Sequence, residues 1–234
     1  MLNKTQNRTL DRRLNKAQNK TLDKTLNRAV AIGTIMRANL RHHFILPFLS
    51  AVVILFVTAL VFPITALKGA DVGRPIEFFL PFAGAALLTP VFLPEQDRSI
   101  GDVIASKKMN TSVIYALRLL YSTFTLAALV LLFIGFLYWN ECEVHWFHLY
   151  GGIASAFFMG SIGVMVSGLS GNTIMGYLTT VIYYLACYGL KKQLGVFWLF
   201  RMSAGIETGK GWLFAGGAVM IAVAFIVLEI RRRK

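Results

Sequence analysis

The stretch "FILPFLSAVVILFVTALVFPITAL", residues 44–67, contains no charged side chain. Helix of that length reaches about 36 Å at 1.5 Å per residue, more than the roughly 30 Å of a bilayer's hydrocarbon core. The stretch is therefore read as a membrane span. Five more apolar runs follow, at 76–93, 113–139, 148–169, 174–190 and 212–230. Pro81 and Pro90 fall inside the second and predict a kink or a break there. Trp139, Trp146 and Trp212 lie near span ends, where aromatic belts form.

Composition agrees. The chain is 56% hydrophobic, and 15% of its residues are charged, against about 25% in an average soluble domain. The expected fold is an all-α integral membrane protein with six transmembrane helices. Two cysteines, Cys142 and Cys187, make no disulfide framework. The basic region before residue 44 is too long for the n-region of a signal peptide, so the first span is expected to be an uncleaved anchor.

The net charge of +13 is concentrated at the two ends of the chain. Residues 1–43 hold ten Lys/Arg against two Asp, and Arg231, Arg232, Arg233 and Lys234 close the sequence. Basic clusters beside spans fit cytoplasmic retention and anionic lipid better than nucleic acid. With the N-terminus inside, eighteen Lys/Arg fall on the inner face and six on the outer. The expectation is a multi-pass cell-membrane protein with both termini cytoplasmic. The outer segment 191–211 carries four of those six, yet its "LGVFWLF" (194–200) is too apolar for a plain loop. A short helix lying on or dipping into the outer leaflet accounts for both features, and so would a wrong span count.

Residues 1–28 form a domain of their own. "LNKTQNRTLDRR" (2–13) returns as "LNKAQNKTLDKT" (14–25). A period of 12 does not bring a helical stripe back into phase, so no sustained apolar face forms. A mobile basic tail, or an arm for lipid or a partner, is expected. In 29–43, Ile32, Ile35, Met36 and Leu40 share one helical face, which predicts an amphipathic interfacial helix. Residues 44–234 form the transmembrane domain.

Between spans two and three lies "PEQDRSIGDVIASKKMNTS", 94–112. Pro94 stops the second span. Ile100, Val103 and Ile104 share a face, with Asp97, Arg98, Asp102, Lys107 and Lys108 mostly off it. Arg118 is expected to snorkel to the interface. A short cytosolic helix joined to two spans, or an ordinary interfacial loop, fits this pattern.

Here the sequence resembles the permease subunits of ABC exporters of the ABC-two-type class. The resemblance rests on Glu95, Gly101, "DVIASKK" (102–108), Ser112 and the "YALRLLYS" (115–122) of the third span. It rests also on the amphipathic lead-in, six spans, and an outward re-entrant segment between spans five and six. It extends over 29–234, and the 12-residue repeats have no counterpart in it. The resemblance implies a permease that pairs with a second copy or a homologous permease. Its coupling helix, about 95–109, would dock in a cleft of a separate cytosolic ATPase. Ile100, Val103 and Ile104 would anchor it, with Glu95, Asp97, Arg98, Asp102 and Lys107 as the rim. ATP closure would then rock the spans and move substrate across the membrane. ATP and Mg would be held by the partner, with no cofactor in this chain. "SGLSGNT" (167–173) would make a minor second contact.

The chain has no phosphate-cradling loop of its own. "GIETGKG" (205–211) is one residue short and lacks the Ser/Thr. No His-Glu-x-x-His and no Gly-x-Ser-x-Gly occurs, so an enzyme is not expected. His145 and His148, with Cys142 nearby, are weak metal candidates, set against a plain polar loop. Gly152, Ala156 and Gly160 form a small-residue ladder suited to close helix packing, with a substrate path as the alternative. Glu77 and Glu229 are acids near span ends, weak markers of a proton relay. The alternatives to an exporter are an ATP-independent secondary carrier or channel, and a non-transporting scaffold or sensor.

Overall fold

The helix that opens the described chain stops just before a proline. Helix α1, Ile45–Val61, ends as Phe62 turns extended (φ −99°, ψ 137°) directly before Pro63. A residue preceding proline is pushed out of the helical region by the pyrrolidine ring. The span expected over 44–67 is therefore 17 residues of helix, about 26 Å, short of the hydrocarbon thickness. The computed structural model describes residues 44–93, 111–206 and 208–233. The repeat tail 1–28, the helix expected at 29–43 and the coupling segment about 95–109 lie outside the described residues.

The other helices are α2 (Ala70–Leu88), α3 (Thr111–Trp139), α4 (Trp146–Ser170), α5 (Thr173–Leu190) and α6 (Lys210–Arg233). The described residues contain no strand. Five helices are long and apolar enough to cross a membrane: Ala70–Phe92, Val113–Trp139, Trp146–Ser170, Thr173–Leu190 and Lys210–Ile230. The architecture is all-helical and fits a multi-pass membrane protein.

Helix α2 begins earlier than expected, at Ala70, after Gly69 in a positive-φ turn (φ 56°). It runs through Pro81 without breaking. Pro90 (φ −82°, ψ 15°) instead converts the chain to a 3-10 turn at Thr89–Phe92. The break predicted by two prolines occurs at one of them. Between α4 and α5, Gly171 takes the left-handed conformation (φ 67°) that closes a helix. Asn172 then caps α5 by accepting from Ile174 N at 2.9 Å.

Helix α4 is the centre, packed against α2, α3, α5 and α6. Its small residues let the α2 backbone come close. A Cβ on Gly84 of α2 would run into the Ala156 carbonyl, and one on Gly160 would lie 2.6 Å from Gly84 O. One on Gly152 would meet Ile76 Cγ2 at 3.0 Å. The ladder residues Gly152, Ala156 and Gly160 thus face α2, Ala156 and Gly160 at backbone distance and Gly152 against the Ile76 and Leu80 side chains.

The opposite faces of the outlying helices are apolar and uncovered. Leu120, Phe124, Leu131 and Leu132 on α3, Leu178, Ile182 and Leu185 on α5, and Val219 and Ile226 on α6 are all exposed. Water would make such continuous apolar surface costly, whereas lipid solvates it. At one rim of the bundle the α1–α2 and α3–α4 connections are tied together. Ala66 N donates to Asn140 O at 3.0 Å and Glu143 N to Leu67 O at 2.9 Å, with Lys68–Glu143 at 3.5 Å beside them. Tyr138, Trp139 and Trp146 are exposed at this rim, placed as an aromatic belt would be.

Candidate functional site

The segment after α5 accounts for the oddly apolar "LGVFWLF". Lys191–Phe197 forms a 3-10 stretch broken at Gly195 (φ 56°). Trp198, Leu199 and Phe200 then fold inward and are buried against Ala154, Phe158, Met159 and Leu213. Met202 is buried too, and the chain turns back over 201–205. The segment does enter the bundle, with its deepest part non-helical rather than a helix.

Non-helical backbone among apolar side chains needs polar partners supplied by protein. Helix α2 supplies them through Glu77. Its Oε1 accepts from Met202 N at 2.7 Å and its Oε2 from Ser203 N at 2.8 Å. Lys210, the first residue of α6, completes the group. Its Nζ lies 2.6 Å from Glu77 Oε1, 2.8 Å from Ser155 Oγ of α4 and 2.5 Å from Leu199 O. Glu77 is 0% exposed and Lys210 3%. Three donors on the ammonium meet three acceptors. The cluster therefore joins α2, α4, α6 and the inward segment through two charges.

Two further bonds hold the segment to α5. Trp198 Nε1 donates to Cys187 O at 3.0 Å, and Tyr183 Oη donates to Phe197 O at 2.6 Å. Phe200 sits in an aromatic collar with Phe78 at 4.9 Å and Tyr184 at 5.3 Å between ring centroids.

Sequence reasoning placed Glu77 and Lys210 on the same predicted rim but did not pair them. Glu77 stood as a terminal acid, and Lys210 belonged to an outer connection resembling an incomplete phosphate loop. The structure pairs them: Lys210 is a buried partner of Glu77, with its ammonium fully engaged. Arg118 lies in the first turns of α3. It is 4% exposed, with Nη1 donating to Val91 O at 3.2 Å. Val91 lies in the 3-10 turn opened by Pro90, so Arg118 fastens the start of α3 to the end of α2.

The metal candidates take other roles. His145 N donates to His148 Nδ1 at 3.0 Å, and the pair forms a capping box at the start of α4. His148 and Cys142 are buried. Among the described residues, no three His, Cys, Asp or Glu side chains gather to hold a metal ion. Glu95, Asp97, Arg98, Ile100, Asp102, Val103, Ile104 and Lys107, expected to meet an ATPase, lie outside the described residues.

No family model, no curated protein and no solved structure matches this chain.

Proposed function

We propose that the chain is the membrane-spanning permease subunit of an ABC exporter, driven by a separate cytosolic ATPase. The observation that carries this reading is the bond from Arg118 Nη1 to Val91 O. It ties together the two helices that flank the polar segment 94–110. A lever driven from outside the bilayer must be stiffly joined to the rods it moves, and a buried side-chain-to-backbone bond between those rods supplies stiffness. The inward segment between α5 and α6 is a second support, since the resemblance includes a re-entrant stretch at that place. The short α1 would be the first of six spans, with its ends completed by non-helical chain. Both termini would then be cytoplasmic, and the rim holding Trp139 and Trp146 would face outward.

In this reading Ile100, Val103 and Ile104 dock in the ATPase, and a second permease completes the pathway. The test is co-purification from a membrane holding the chain and a candidate ATPase. A stable complex, lost together with transport in Ile104→Glu, is expected. A chain that purifies without any ATPase, and transports equally well as Ile104→Glu, overturns the proposal.

The buried Glu77–Lys210 pair favours a second reading, an ATP-independent carrier. Intramembrane ionisable residues mark ion and substrate pathways. Substrate movement that persists after ATP depletion and collapses with an ion gradient would select it.

A further inference from the structure

Residues 198–203 are held at their backbone by two charges that belong to different helices. Glu77 of α2 takes the amides of Met202 and Ser203, and Lys210 of α6 takes the carbonyl of Leu199. The charges also hold each other, at 2.6 Å. Hydrogen bonds of 2.5–2.8 Å are lost within about an ångström of separation. A small shift of α2 against α6 would therefore break the ion pair and pull the two amide anchors on Glu77 away from the carbonyl anchor on Lys210.

The segment is also built to swing. It runs between Gly195 (φ 56°) and Gly205 (φ 75°), both in the left-handed region that only glycine enters at little cost. Arg201 Nη1 donates to Gly195 O at 3.0 Å and Ile206 N to Arg201 O at 2.8 Å, which closes the stretch on itself as a compact loop. Its internal bonds do not depend on α2 or α6, and the two bonds to α5, from Trp198 Nε1 and to Phe197 O, hold only its N-terminal end, on the hinge side. It can leave its seat without unravelling.

We propose that residues 198–203 form a hinged flap whose release catch is Glu77, seated between the flap amides and Lys210. Shut, the flap buries Leu199 and Met202 at the rim where α2, α4 and α6 begin. Released, it opens the interior of that rim to water while the helices stay packed. The proposal goes beyond the exporter reading and does not require an ATPase.

The experiment uses the full chain in detergent with Cys142→Ala and Cys187→Ala, and follows labelling of Leu199→Cys by a water-soluble maleimide. Two control sites are run in parallel: Trp139→Cys at an exposed position and Ala156→Cys in the buried heart of α4. With Glu77 intact, Leu199→Cys should label at least tenfold more slowly than Trp139→Cys. Glu77→Gln should raise the Leu199→Cys rate at least tenfold while Ala156→Cys stays protected. A rate within twofold of the parent overturns the proposal, because apolar packing alone would then hold the segment. If Ala156→Cys also becomes reactive, Glu77→Asp decides. It keeps both charges but shortens the reach, so at least a threefold rise at Leu199→Cys is expected, and a parent-like rate refutes the catch.

Discussion

The Glu77 carboxylate and the Lys210 ammonium meet at 2.6 Å with almost no exposure, although one lies on α2 and the other opens α6. In a low-dielectric interior each charge is tolerable because the other is present. Removing one leaves the second stranded, whereas removing both leaves only unfilled hydrogen bonds.

Glu77→Gln alone should accordingly cost about 3–5 kcal/mol, the usual penalty for stranding a buried charge. Lys210→Met alone should behave alike. The double variant Glu77→Gln/Lys210→Met should recover a large part of the loss. Thermal unfolding of the detergent-solubilised chain, run as a double-mutant cycle, measures this. Additive single losses would show that the two charges act independently.

Two glycines give opposite expectations. At Gly84 an added Cβ meets the Ala156 carbonyl, so Gly84→Ala should destabilise by about 1–3 kcal/mol as α2 and α4 are forced apart. At Gly135 on α3 an added Cβ meets nothing within 4 Å. There Gly135→Ala should be neutral or stabilise by about 0.5–1 kcal/mol through helix propensity. Paired unfolding midpoints decide.

Arg118→Met removes the buried donor to Val91 O. The orphaned carbonyl should cost about 1–3 kcal/mol. Transport, if the exporter reading holds, should fall by more than the loss of folded protein explains. Activity normalised to monodisperse protein is the measurement, and a proportional fall would make Arg118 a stability residue only.

Placement in lipid is tested by fluorescence. Single-tryptophan chains keeping Trp139 or Trp146, both exposed at one rim, should be quenched more by bromines near the lipid headgroup than by bromines near mid-chain. A chain keeping only the buried Trp198 should be quenched weakly by either.

The apolar runs were legible because a helix in lipid must be apolar over a fixed length, a rule local to each segment. Their ends were legible where local chemistry decides them, as at Gly171–Asn172. The end of α1 differs from the expected span because the run 44–67 stays apolar beyond Phe62 while Pro63 biases the residue before it out of the helix. The Glu77–Lys210 pair was hidden for a different reason. Each residue alone read as an ordinary charge near a span end, and nothing local to either names the other. The signal lay in "LGVFWLF", whose apolarity said that the chain turns inward and so must find polar partners there. Gly84 was missed likewise, since the ladder on α4 was visible but its mate on α2 depended on register.

The position of Lys210 at the head of α6 bears on biogenesis. A ribosome exposes the acid of α2 long before the base of α6 leaves the exit tunnel, so the nascent chain carries an unmatched acid until Lys210 emerges. A product terminated ahead of codon 210 never acquires its counterion, and should be cleared by membrane proteases that a full-length chain escapes.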